Sequence, residues 1–317
     1  MARLLARFAD CVFWTARYVE RSISLARVLD VNQAYSQDAK GNRNWQSILT
    51  FYADEERFAE LYKQLSADAV IAFYTTDPRN LASIRSCLRQ ARENARTIRP
   101  LISTEMWSQL NALHRKIKPL KASSVTSKTL SNFATLVKEG CQTHVGITME
   151  TFYRDEAYHF YMLGQQLERA DQTTRLLDVK FAQLRAGATE MGSATDVSQW
   201  NALLRAAAGF QAYRRRHPVT AMSPQSVAHF LLLNPMFPRS LLCAVNGAND
   251  ALNALRREAG LTTGARAQKR LRAFQSALMD LDIDEIMARG MDEAMDWVQR
   301  ELNEIGDLVT KEFFGRS

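Results

Sequence analysis

The sequence predicts an all-α protein, an internally duplicated helical bundle with pseudo-twofold related halves. Three observations predict it. Apolar residues recur at spacings of three and four, Pro-containing breakers punctuate the pattern, and no stretch sustains period-two alternation between turn residues. Blocks of sequence also recur in the same order in the second half.

Taken in order, residues 3–31 carry Val12, Ala16, Val19, Ile23 and Ala26 on one helix stripe. Asp77-Pro78 breaks the chain, and Ile84, Leu88, Ala91, Ala95 and Ile98 then repeat that spacing until Pro100. In the second half Ser223-Pro224 reads as an N-cap with Pro at the first helical position. After the Asn234-Pro235 breaker, Leu241, Val245, Ala248, Leu252 and Leu255 form the matching stripe, with Ser240 as its expected cap. Clusters of Gly, Ser, Thr and basic residues place loops near 33–44, 116–126, 186–197 and 213–223.

The repeat is explicit in the residues. Glu20-Arg21 followed by Arg27-Val28-Leu29-Asp30 returns as Glu168-Arg169 followed by Arg175-Leu176-Leu177-Asp178, 148 residues on. Trp45-x-x-Ile48-Leu49 returns as Trp200-x-x-Leu203-Leu204 at 155. Phe73, Asp77-Pro78 and Ser83-Ile84 return as Phe230, Asn234-Pro235 and Ser240-Leu241 at 157. Ordered blocks with slowly drifting offsets argue for a tandem duplication, with halves 1–150 and 151–317 packed as a single domain over 1–317.

Composition narrows the class. At 317 residues, 46% hydrophobic and 24% charged with 13 Gly and 7 Pro, the chain is neither disordered nor collagen-like. No apolar run is long enough for a membrane span, and no secretory h-region opens the chain. Four cysteines without a CxxC suit a reducing cytoplasm. The whole net charge of +7 lies in residues 1–150, where 21 Lys and Arg face 14 Asp and Glu. Such a half attracts an acidic protein face, a nucleotide or a nucleic acid.

The candidate site residues begin with the duplicated block. Phe13, Glu20 and Arg27 are seven apart and share one line of their helix; Tyr161, Glu168 and Arg175 share the equivalent line. Asp30 and Asp178 each follow an arginine by three, within ion-pair reach. Glu20, Arg21, Arg27, Asp30, Glu168, Arg169, Arg175 and Asp178 thus form either a buried network that fixes helix register or a polar cleft for a peptide or nucleotide. In the second case Glu20 and Glu168 would face each other and act as acid and base, although arginine neighbours make a carboxylate a weak base.

A helix of the form Phe13-Trp14-x-x-Arg17-Tyr18-x-Glu20-Arg21 followed by Arg27-Val28-Leu29-Asp30 resembles the bacterial alpha-E domain family. Arg92-Glu93-Asn94-Ala95-Arg96 and Phe160 through Arg169 extend the resemblance over nearly the whole chain. Gln165 and Gln166 stand where the first copy has Arg17 and Tyr18, so the two Glu-Arg sites differ. The resemblance implies a helical accessory protein found beside circularly permuted ATP-grasp and transglutaminase-like proteins, in a peptide ligation or modification system. It supplies a context and no reaction.

Arg85, Arg89, Arg92, Arg96 and Arg99 are spaced four, three, four, three, a cationic ridge about 21 Å long. Their equivalents are Leu242, Asn246, Asn249, Asn253 and Arg256, so only one half keeps the ridge. It suits an acidic partner surface or a nucleotide or phosphate ligand, since the guanidinium fork pairs with carboxylate or phosphate. Nucleic acid is the weaker reading: no recognised nucleic-acid motif accompanies the ridge and no aromatic residue interleaves it. No cofactor is predicted beyond that possible ligand, and no metal. Glu156-x-x-His159 lacks the second such pair a di-iron bundle needs, and Cys141-x-x-His144 falls short of a zinc site. Cys11 and Cys87 read as small core residues. Met279, Met287, Met291 and Met295 read as adaptable core, with Asp280, Asp282, Asp284 and Glu285 as an acidic flank.

Overall fold

The computed structural model describes residues 4–36, 42–185, 194–217, 222–257, 260 and 262–315. Among the described residues all regular structure is helical, and none of the helices is long and apolar enough to cross a membrane. The chain divides into two compact units, residues 11–161 and residues 162–317 joined by 1–10.

The 11–161 unit holds most of α1 (Ala6–Ser36), then α2 (Asn42–Tyr52), α3 (Glu55–Leu61), α4 (Ala67–Thr75), α5 (Ile84–Thr97), α6 (Thr104–Ile117), α7 (Leu130–Thr151) and the start of α8 (Glu156–Arg185). The predicted α1 and α5 stripes are buried throughout, from Val12 to Ala26 and from Ile84 to Ile98. Helix α6 packs between α5 and α7. Trp45, Phe58, Phe73 and Tyr74 fill the space under α2 to α4, with Phe58 edge-on to Phe73 at 5.4 Å.

The other unit continues α8 and adds α9 (Ala194–Ala206), α10 (Phe210–Arg216), α11 (Pro224–Leu233), α12 (Leu241–Arg257), α13 (Ala265–Met279), α14 (Ile283–Arg289) and α15 (Met291–Val309). The α12 stripe Leu241, Val245, Ala248, Leu252 and Leu255 is fully buried, and α13 packs on α12 and α15. Ser223 caps α11 as predicted, accepting from the Ser226 backbone N–H at 3.1 Å with Pro224 at the first helical position.

Several predicted loops are shorter than their composition suggests. Helices α1 and α2 take 33–36 and 42–44, α9 takes 194–197, and α10 takes 213–216. Polar residues at a helix end satisfy orphan backbone groups as readily as they form a turn, so composition alone overextends the loops. The remainder of those three segments lies largely outside the described residues.

The two units build the same corners. Ala53 and Ala208, 155 residues apart, are the two described non-glycine residues with positive φ, at 53° and 56°. Each ends a helix in the same way. The Asp54 N–H donates to Leu49 O at 2.9 Å, and the Gly209 N–H to Leu204 O at 2.7 Å, a left-handed C-cap. A seven-residue helix follows each. The breaker corners match as well. Asp77 Oδ1 accepts the Arg79 N–H, and Asn234 Oδ1 accepts the Met236 N–H, both at 2.9 Å. The hydroxyls of Ser83 and Ser240 donate back to the carbonyls of Asp77 and Asn234 and cap α5 and α12. A left-handed alanine costs about 1–2 kcal/mol, and glycine returns about 0.4–1 of that as unfolded-chain entropy. Both alanines are exposed. The Ala53→Gly/Ala208→Gly double variant is therefore expected to raise the urea midpoint; a lowered midpoint would show that the caps carry no strain.

Candidate functional site

The Glu-Arg residues lie inside the helices' packing. Glu20 and Glu168 are each 0% exposed, while Arg21, Arg27, Arg169 and Arg175 are half-buried. A carboxylate so placed costs several kcal/mol unless partners compensate it. On α1, Arg17 lies over the Trp14 ring at 4.9 Å, and Thr15 and Ser22 donate to backbone carbonyls one turn back. Asp30, expected to reach Arg27, takes Lys138 of α7 at 2.6 Å. Glu20 and Cys87 both act on Cys141 of α7, whose thiol is pushed up first by burial and then by that carboxylate and the second thiol.

On α8 the network is more fully drawn. Gln172 Nε2 donates to Glu168 at 3.2 Å and lies 3.5 Å from Asp171, which accepts both 3.0 and 3.1 Å bonds from Arg175 Nε. Arg175 thus meets an acid four residues before it; the sequence expectation was Asp178, whose side chain lies outside the described residues. Helical side chains lean toward the N-terminus, so an acid preceding a base by four is the better-oriented pair. Arg169 donates to the Pro238 carbonyl at 3.4 Å and Thr173 to the Arg239 carbonyl at 2.9 Å. These bonds fasten the Glu-Arg segment of α8 to the corner that starts α12. Both glutamates are closed off from solvent.

Four members of the arginine ridge lie on α5 and Arg99 lies just past its end, in the turn before Pro100, and they do different things. Arg85 donates to the carbonyls of Thr76 and Leu120, both at 3.4 Å. Arg92 donates from Nε to Asn111 of α6 at 3.1 Å, and its guanidinium meets Glu93. Arg96 pairs with Glu93 at 3.0 Å and keeps 65% of its side chain exposed. Arg92 and Arg99 lie 5.4 and 5.2 Å from the centre of the Trp107 ring. Arg89 is exposed. Glu93 takes Arg92 and Arg96, and the Asn111 bond and the Trp107 ring hold the Arg92 guanidinium beside it.

The expectation of a ridge without aromatics is corrected by Trp107. The signal was present on the neighbouring helix: Trp107, Asn111 and His114 are spaced four and three, one line of α6 turned toward α5. Burial, then Arg92 and Lys118, hold His114 below its ordinary pKa, so cationic charge dominates its surroundings. Arginine over a tryptophan face gains roughly 0.5–2 kcal/mol, which orders the ridge without neutralising it.

The equivalent line in the other unit is closed. Asn249 donates to Gln275 of α13 at 3.1 Å, Gln275 to Asn246 at 2.6 Å, Gln268 to Asn253 at 2.5 Å and Arg272 to Asn253 at 2.7 Å, while Arg256 meets Gln268. That is an amide ladder between helices, built within the unit. The ridge has no such ladder. Glu93 is the one carboxylate that the five arginines meet among the described residues.

The remaining sequence candidates recede. No group of three His, Cys, Asp or Glu among the described residues is placed to hold a metal ion. Cys87 and Cys141 are buried, whereas Cys11, expected in the core, is partly exposed. His144 is enclosed beside Tyr161, its ring nitrogens without a hydrogen bond of normal geometry. No curated protein and no solved structure matches the chain. Residues 4–314 match the family model described as "a predicted alpha-helical domain with a conserved ER motif", so the chain, with its Glu20-Arg21 and Glu168-Arg169 pairs, belongs to the Alpha-E family.

Proposed function

We propose that this Alpha-E protein is a non-catalytic partner in an ATP-grasp-linked peptide ligation or modification system. In this reading its α5–α6 face receives an acidic surface of an ATP-grasp-like or transglutaminase-like protein. One observation carries it: five arginines share a face with one glutamate, while the same line of the other unit is tied up in an inter-helix network of Asn and Gln amides with Arg256 and Arg272. Trp107 gives that face the rigid aromatic centre that binding hot spots favour. The enclosed Glu20 and Glu168 support a structural role for the Glu-Arg helices over an acid–base one. The matching corners support descent of both units from one duplicated helical unit, after which a single copy acquired the cationic face.

The test is capture of an ATP-grasp-like protein by the wild type and by an Arg89→Glu/Arg92→Glu/Arg96→Glu variant. Because reversed charges repel as well as fail to attract, the variant should lose about tenfold or more in affinity while circular dichroism stays unchanged. Equal capture by a well-folded variant would refute the assignment. Binding of DNA or RNA by the wild type, falling steeply as salt rises above about 50 mM, would replace it with a nucleic-acid role.

A further inference from the structure

The second docking feature has the opposite charge and lies in the other unit. Between the α11–α12 corner and the end of α13 is a groove of about 630 Å³. Leu233, Leu242, Leu278 and Ile283 line it, with Asp280 and Asp284 at its edge. Met279 also lines it while 67% exposed, an adaptable apolar side chain standing in solvent beside acidic groups.

What belongs in such a groove is suggested by the 11–161 unit. Arg85 lies two residues past the capping Ser83, as Leu242 lies two past Ser240. Arg85 reaches the carbonyl of Thr76, just before the Asp77 corner, and the carbonyl of Leu120, three residues past the buried Ile117. The counterparts are Leu233, just before the Asn234 corner, and Leu281, three past the buried Leu278, and both line the groove. In one unit, then, an arginine bridges the corner and the helix end from within. In the other a shorter, apolar Leu242 stands in that place, the space is open, and its edge has become acidic.

We propose that this groove docks a basic segment of a partner protein, one arginine or lysine entering as Arg85 does in the other unit. Its aliphatic stem lies against Leu233 and Met279, and its charge faces the Leu233 and Leu281 carbonyls and the edge carboxylates. Charge complementarity selects the occupant: the edge presents Asp280, Asp282 and Asp284, with His229 as the one titratable base among the lining residues.

The probe is a fluorescein-labelled amphipathic peptide of Arg, Lys and Leu, followed by anisotropy against the full-length protein, with a Glu-for-Arg/Lys peptide as control. The basic peptide should bind saturably and the acidic one should not. Leu242→Arg fills the groove from inside and should weaken binding about tenfold or more, with the thermal midpoint kept. Should that variant unfold, the surface pair Asp280→Asn/Asp284→Asn decides: two exposed charges removed should weaken binding several-fold and flatten its salt dependence. Full affinity in a folded Leu242→Arg protein, unchanged affinity in the Asn pair, or equal binding of the acidic peptide overturns the proposal. So does a concentration-dependent oligomer that Leu242→Arg abolishes, since the occupant would then be a second copy.

Discussion

Lowering the pH from 6.5 toward 4 is expected to remove about 3 kcal/mol of stability through His144 alone, a figure that follows from 1.36 kcal/mol per pKa unit. Burial holds this imidazole well below its ordinary 6.5, at about 4, with the nearby Met106 backbone offsetting only part of the effect. The unfolded chain therefore binds a proton between those two values that the folded chain refuses. Stability rises with pH wherever the unfolded state holds more protons, so this contribution is complete above 6.5 and is lost as pH falls toward 4. The ring sits on α7 beside Tyr161, and its backbone carbonyl accepts the Thr148 hydroxyl at 2.8 Å. A His144→Phe variant keeps an aromatic of similar shape and removes the titration. Urea unfolding at pH 7 and pH 4.5 should show the wild type losing markedly more stability than the variant; equal losses would mean that the imidazole is hydrated or paired in solution.

His144 also shows what the sequence can and cannot say. It is legible as a member of Cys141-x-x-His144. Its burial was not legible, because the spacing places it on α7 without stating which face α6 and α8 cover. The helix stripes were legible for the opposite reason: Val12 to Ala26 or Leu241 to Leu255 bury an entire line, and a repeated apolar period admits one inside. The corners were legible from Pro and Ser, whose backbone chemistry is local. The ion pairs were not. Asp30 chose Lys138, 108 residues away, because a charged side chain takes whichever partner the tertiary packing presents. Trp107 escaped for a similar reason, since the ridge was read along one helix while the aromatic sits on the next. The duplicated Glu-Arg block was visible at once, yet its enclosure depends on packing that no spacing encodes.

Replacing Glu168 with alanine is expected to cost about 3 kcal/mol, the sum of a stranded buried donor and the space left behind. The donor is the Gln172 amide, enclosed on the same helix and already shared with Asp171, so its loss of Glu168 is felt by the Asp171–Arg175 pair as well. Members of one hydrogen-bonded network do not act additively. Glu168→Ala and Gln172→Leu should therefore cost less together than the sum of their separate losses, because the double variant strands neither group. Glu168→Gln retains an acceptor for Gln172 and should cost about 1 kcal/mol. The readout is urea unfolding followed by tryptophan fluorescence, in which Trp200 and Trp297 report on the 162–317 unit. Partner capture through the α5–α6 face, measured where the variant is still folded, should remain at the wild-type level. If Glu168→Ala instead left stability intact and abolished the output of the modification system proposed above, the carboxylate would be working chemically, and the structural reading of the Glu-Arg helices would fall.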